Sequence, residues 1–144
     1  MISLNLINHF FNPRNIIKEE QNEEYEGVIF EKDNLKYRSR LAKKTTKKNG
    51  YFVVFWEKDE FKKNKAYSFE NAPDFTLVWI ADQNRKGLFK FPKKILLDKK
   101  ILRNDNQKGK MGIRVYTNWD TDLNTTAKKT QDWQKDYFTE LSQL

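Results

Sequence analysis

Residues 35–56 read LKYRSRLAKKTTKKNGYFVVFW. The first part alternates, placing Tyr37, Ser39 and Leu41 on one face of an extended segment and Lys36, Arg38 and Arg40 on the other. Between Arg38 and Lys48, six of eleven residues are cations, and Asn49-Gly50 closes the run. Tyr51–Trp56 then gives six apolar residues without a break. Charge this dense needs a solvated or anion-facing surface, whereas the apolar run needs a dry sheet interior. The stretch therefore predicts a basic strand and loop pinned against the core of a sheet protein.

The rest of the chain extends that sheet. Val28-Ile29-Phe30 starts a strand, Lys32-Asp33-Asn34 turns it, and the basic strand follows from Leu35 to Lys43. Phe75–Ala81, like Tyr51–Trp56, is continuously apolar and predicts a central strand covered on both faces. Residues 57–74, EKDEFKKNKAYSFENAPD, read as a polar loop. Lys86–Phe91 alternates up to Pro92, a short turn of helix spans Lys93–Leu97, and Ile113–Thr117 is a further strand. Ile2, Leu6, Ile7 and Phe10 predict an N-terminal helix stopped at Asn12-Pro13, and residues 18–26 form an acidic connection. A last helix starts near Thr125, capped by Asp120, Asp122 or Asn124, with Thr130, Gln134, Tyr137, Phe138 and Leu141 inward. The expected fold is α/β (α+β): one domain over residues 1–144, a sandwich around a mixed central sheet of five to six strands with helices at both chain ends.

Composition narrows the chemistry. The 144 residues contain no Cys and one His, His9, which excludes disulfides, thiolate metal sites and two-histidine metal sites. The N-terminus reads as a short helix and not as a leader or membrane span, so a cytoplasmic protein without membrane insertion is expected. The formal charge of +8 points to an anionic partner such as nucleic acid. Of the cations, 22 are Lys and 6 Arg, a mix that AT-rich coding also spreads over any surface. The local pattern carries more weight: Lys36, Arg38, Arg40, Lys43, Lys44, Lys47 and Lys48, with Arg114 extending them, form the candidate nucleic-acid-binding set. An ordinary lysine-studded sheet edge is the bland reading of the same residues.

The segments YEGVIFE, YRSRLAKKTTKKNGYFVVFW, PDFTLVWIAD, GLFKFPKKIL, GIRVYTNWD and KKTQDWQKDYF, in that order from Tyr25 to Phe138, resemble the MepB family of small bacterial proteins. The chain departs from the family at Thr45-Thr46, where Thr-Pro is frequent, and in its lysine-rich residues 57–72. The resemblance implies a restriction-endonuclease-like fold, genetic neighbours that are a MarR-type repressor and a multidrug-efflux transporter, and no assigned enzymatic activity.

That fold class cuts with one acid on a strand and an acid-x-Lys triplet on the next, holding a divalent metal. The catalytic candidates are Asp74 with Lys90, or with Lys43, and Leu88 or Leu41 stands where the second acid is required. Glu26 and Glu57 are the acids expected to stand in if a second carboxylate arrives from elsewhere. The expectation is a non-catalytic nucleic-acid-binding protein without a cofactor. The alternatives are a Mg²⁺-dependent nuclease with a degenerate site, and an accessory or small-molecule-binding protein of a drug-efflux operon. Gln131 and Gln134 stand out on the last helix, because a buried amide needs partners.

Overall fold

The computed structural model describes residues 1–141. Its helices are α1 (Ile2–Phe11), α2 (Lys93–Asp98) and α3 (Thr125–Gln134), and a 3-10 segment spans Glu20–Tyr25. The strands are β1 (Arg14–Lys18), β2 (Val28–Lys32), β3 (Leu35–Leu41), β4 (Lys43–Lys44), β5 (Tyr51–Val54), β6 (Trp56–Lys58), β7 (Asn64–Ala66), β8 (Phe75–Asp82), β9 (Arg85–Pro92), β10 (Gly112–Val115) and β11 (Phe138–Leu141). Six strands form a mixed sheet in the order β1-β2-β3-β8-β9-β11, in which only β3 and β8 are parallel. A second sheet has the order β10-β5-β4, and β6 pairs with β7.

β8 is the axis of the molecule. Leu77, Val78, Trp79 and Ile80 are each wholly buried, alternately on its two faces. On one side Leu77 and Trp79 pack with Val28, Phe30 and Tyr37 under Leu6 and Ile7 of α1. On the other, Val78 and Ile80 pack with Phe89 and Phe91 under Tyr51 and Val53 of β5, Val115 of β10 and Leu96 of α2. Each aliphatic side chain so buried contributes about 1.5–3 kcal/mol. Trp79 closes its side by donating from Nε1 to the buried Ser39 Oγ at 2.9 Å. The β2–β3 turn carries Asp33 and Asn34 at φ 51° and 64°, both in the left-handed region that two-residue hairpin turns require.

Three local expectations change. Tyr51–Trp56 is not doubly covered: Tyr51 and Val53 face the core, whereas Phe52 and Val54 face outward and are half-buried. Residues 57–74 contain a hairpin, because Trp56–Lys58 pairs with Asn64–Ala66. The C-terminal apolar stripe is split: α3 ends at Gln134, and Phe138–Leu141 pairs with β9 as a strand. Asn124 caps α3 by accepting from Ala127 N at 2.9 Å, while Asp120 instead accepts from Thr117 N at 2.7 Å.

Candidate nucleic-acid interface

The arginine face of β3 turns inward. In the parallel pairing Arg40 stands beside Val78 and Arg38 beside Thr76, on the face that the second sheet covers. The Arg40 side chain is 0 % exposed. Its Nη1 donates to Glu19 Oε1 at 2.7 Å and to Ser39 O at 3.0 Å. Its Nε donates to Val54 O at 3.1 Å, and its Nη2 to the Tyr67 hydroxyl at 2.7 Å. Arg38, 13 % exposed, binds the same carboxylate through Nε and Nη2 and lies 3.4 Å from the centre of the Tyr67 ring. Burial alone would raise the Glu19 pKa, but Arg40 and Arg38 outweigh it and hold the carboxyl below the ordinary glutamate range. Gly27 leaves the necessary space, since a Cβ there would stand 3.0 Å from Arg40 Nη1. These arginines do face an anion, and that anion is a carboxylate of the same chain.

This corrects the expectation for Arg40 and Arg38. A phosphate cannot reach Arg40 without unpacking β5 from β3, and Arg38 is committed to Glu19 and Tyr67. Lys36 is exposed, but it sits at the far end of β3, where its backbone N–H donates to Asp74 Oδ2 at 2.8 Å.

The exposed basic surface lies one sheet further out. Lys43 on β4, Phe52 on β5 and Arg114 on β10 stand opposite one another in a single row across the second sheet. Their neighbours Tyr51, Val53, Ile113 and Val115 fill the core, so alternation turns this row outward. Tyr25 lies edge-on to Phe52 at 6.4 Å, with Lys43 Nζ 4.7 Å from its ring centre. Arg114 reaches along the face, and its Nη2 donates to Thr45 Oγ1, Lys48 O and Asn49 O. The Asn49 amide donates in turn to Thr121 O and Asp122 O at 3.0 and 3.1 Å. Gly50 adopts φ +84°, where a Cβ would strike Tyr116 at 2.6 Å. The loop is thus braced at three points, while Lys43, Lys44, Lys47 and Lys48 are exposed. Lys43 meets Glu24 at 3.5 Å and Lys44 meets Asp82 at 3.3 Å. Lys47 and Lys48 have no ion-pair partner among the described residues.

Two clefts flank the row. One, about 660 Å³, lies between the lysine loop and Asp82, Trp119, Asp120 and Asp122. There the Tyr51 hydroxyl donates to Asp82 at 2.7 Å and accepts from Trp119 Nε1 at 3.0 Å. Burial first, and Asp82 with it, push the Tyr51 pKa far above the ordinary tyrosine value, which keeps it a neutral donor. The other cleft, about 440 Å³, lies between β10 and α3 and is lined by Phe52, Lys99, Lys110, Arg114, Thr126 and Trp133 among others, with no carboxylate.

Among the described residues the nuclease candidates assemble no metal-binding group: Asp74 and Lys90 both lie by the Tyr37 and Phe75 rings, and Lys43 is remote from them. Asp74 is spent on the Lys36 amide. Lys90 Nζ sits 4.4 Å above the Phe75 ring, and Lys43 lies beyond the opposite end of β3. Leu88 and Leu41 pack against the α1 cluster. Glu26 accepts from Ser3 at 2.8 and 2.7 Å, and Glu57 pairs with Arg103 at 3.3 Å. Among the described residues no three His, Asp or Glu side chains are grouped to hold a metal ion. The two glutamines have structural partners. Gln134 is wholly buried, accepting from Tyr116 N at 2.9 Å and donating to Arg114 O at 3.0 Å. Gln131 donates to Thr117 O at 2.8 Å.

Glu19, Tyr67, Phe52, Lys99 and Lys110 are the residues that sequence reasoning missed. Nothing local separates Glu19 from the other four glutamates of residues 19–26. Phe52 was detectable in principle, because the neighbouring cations on β4 and β10 imply a solvated face at its register.

No helix among the described residues is long and apolar enough to cross a membrane. A search of curated proteins finds no match. A solved structure described as the crystal structure of MepB aligns over 100 % of this chain and 99 % of its own, with 38 % sequence identity and a TM-score of 0.91. A family model described as MepB-like matches residues 19–140, from the glutamate that pairs with Arg38 and Arg40 to the strand after α3. The chain belongs to the MepB-like family.

Proposed function

We propose that this protein binds nucleic acid through the phosphate backbone, on the outer face of β4, β5 and β10 and the lysine loop beside it, without cutting the strand. The observation that carries the reading is the outward row Lys43–Phe52–Arg114. It interleaves cations with an aromatic ring, as surfaces that track a charged strand do. The bracing of residues 45–50 by Arg114, Asn49 and Gly50 supports it, because a preorganised loop loses less freedom when its lysines meet phosphates. The pairs Lys43–Glu24 and Lys44–Asp82 are surface contacts worth at most about 1 kcal/mol each, which a phosphate can displace. Leu88 and Leu41 stand where a second acid is needed with Asp74, and no group of three acids or histidines stands ready for a metal among the described residues, which favours binding without cutting. A cytoplasmic location fits this reading.

Four exposed cations, Lys43, Lys44, Lys47 and Lys48, present themselves to phosphates, on a loop that Arg114 braces. For four contacts, log K against log salt has a slope of roughly −3.6 on duplex and −2.8 on a single strand. Fluorescence anisotropy with labelled oligonucleotides from low to physiological salt measures it. Undetectable or salt-independent binding sinks the proposal.

A further inference from the structure

The cleft between β10 and α3 differs from the others in its lining. The cleft beside the lysine loop contains Asp82, Asp120 and Asp122, and that under β1–β3 contains Glu31 and Glu70. The α3 cleft contains Lys99, Lys110 and Arg114, no carboxylate, and aromatic rings from Phe52 and Trp133. We infer that it holds one unpaired nucleotide of a bound strand, with the base stacked in the cleft against Trp133 and the phosphate between Lys99 and Lys110. The inference rests on the phosphate-binding reading above and specifies its ligand as single-stranded.

Its volume, about 440 Å³, lies in the range of small-ligand sites. Trp133 is half-buried, anchored on Phe91 at 5.6 Å. Lys99 Nζ stands 5.6 Å from the Trp133 ring centre. A base stack is worth more than one solvated cation–π contact, so an incoming base displaces the ammonium, which then remains beside the phosphate. Phe52 reaches the cleft because β10 carries Gly112 there: a Cβ would meet Phe52 Cζ at 2.6 Å. Arg114 Nε is buried with no acceptor, which leaves the wall electropositive. Duplex bases present no open face to such a cleft, so pairing excludes them. Recognition is sequence-tolerant, because both ends of the Gln134 amide are engaged with Tyr116 and Arg114 and are not free to read a base edge.

The test compares a ten-nucleotide single strand, a ten-base-pair duplex and a 5′-mononucleotide by anisotropy and competition, using wild type, Trp133→Leu and Lys99→Glu. The single strand is expected to bind about tenfold tighter than the duplex. Trp133→Leu should remove about that factor for the single strand and leave duplex binding within twofold. Lys99→Glu, at an exposed position, reports on the cleft without touching the core and should weaken the single strand more than the duplex. Equal affinity for single strand and duplex, or equal losses on both in the two variants, overturns the inference while the phosphate-binding reading stands. A mononucleotide that competes as well as the strand overturns the assignment to a strand. Absence of salt-dependent binding to either polymer removes both proposals.

Discussion

Replacing Glu19 by Ala tests whether the β3 arginines hold the fold together. Glu19 is the ion-pair partner of both Arg38 and Arg40. Removing it leaves Arg40, whose side chain is 0 % exposed, with only Val54 O, Ser39 O and the Tyr67 hydroxyl as acceptors. An uncompensated buried charge of this kind costs about 3–5 kcal/mol. A domain's whole stability is about 5–15 kcal/mol, so the loss is a large fraction of it. With a urea m-value of about 2 kcal/mol/M, the midpoint falls by roughly 2 M. Glu20→Ala, the exposed neighbouring residue, is the matched control and should stay within about 0.5 kcal/mol of wild type. Arg38→Ala should cost less, about 1.5–3 kcal/mol, because Glu19 keeps Arg40. Urea unfolding followed by tryptophan fluorescence and far-UV circular dichroism reads all three. A Glu19→Ala variant within 1 kcal/mol of wild type, or indistinguishable from Glu20→Ala, refutes a structural role for the cluster.

The same carboxylate sets an acid dependence. Its folded-state pKa lies below the ordinary 4.5, so its contribution is complete above that pH and disappears as pH falls through the lower folded value. The stability gap between wild type and Glu19→Gln should therefore be wide at pH 7 and close on acidification; a gap independent of pH contradicts this. Gly27→Ala should destabilise by about 1–3 kcal/mol in thermal or urea unfolding, because its Cβ meets a guanidinium that four hydrogen bonds hold in place. Gln134→Leu keeps the volume but strands Tyr116 N and Arg114 O, at about 1–3 kcal/mol each, and hydrogen exchange should show the Tyr116 amide losing protection.

Much of the fold was legible because its periodicities are local. The alternation in residues 36–41 sorted the two faces of β3 correctly, and Phe75–Ala81 marked the central strand. What local pattern could not supply was that both faces of β3 are covered, one by α1 and the arginine face by the second sheet. Covering the arginine face depends on Glu19, twenty-one residues before Arg40, and on Tyr67, twenty-seven after it. A strand of cations is ordinarily read as solvated because burying unpaired charge is prohibitive, and the pairing carboxylate arrives through tertiary structure alone. The candidate surface was half legible for the same reason. Lys43, Lys47, Lys48 and Arg114 were found as charges, but the register that brings Lys43 and Arg114 to either side of Phe52 belongs to the second sheet. The C-terminal stripe misled because Tyr137, Phe138 and Leu141 do share a helical spacing with Gln134, yet Phe138 and Leu141 pair with Phe89 and Lys86 in a sheet.

The central claim is that phosphates meet the outer face of the second sheet and not β3. Salt-dependent binding of the triple variant Lys43→Ala/Lys47→Ala/Lys48→Ala to duplex DNA measures this most directly, with Lys36→Ala on β3 as control. The account predicts that the triple variant loses about 2.7 units of log–log slope, roughly 0.9 per phosphate contact, and that Lys36→Ala leaves the slope unchanged. An unchanged slope in the triple variant, or a loss confined to Lys36→Ala, contradicts it.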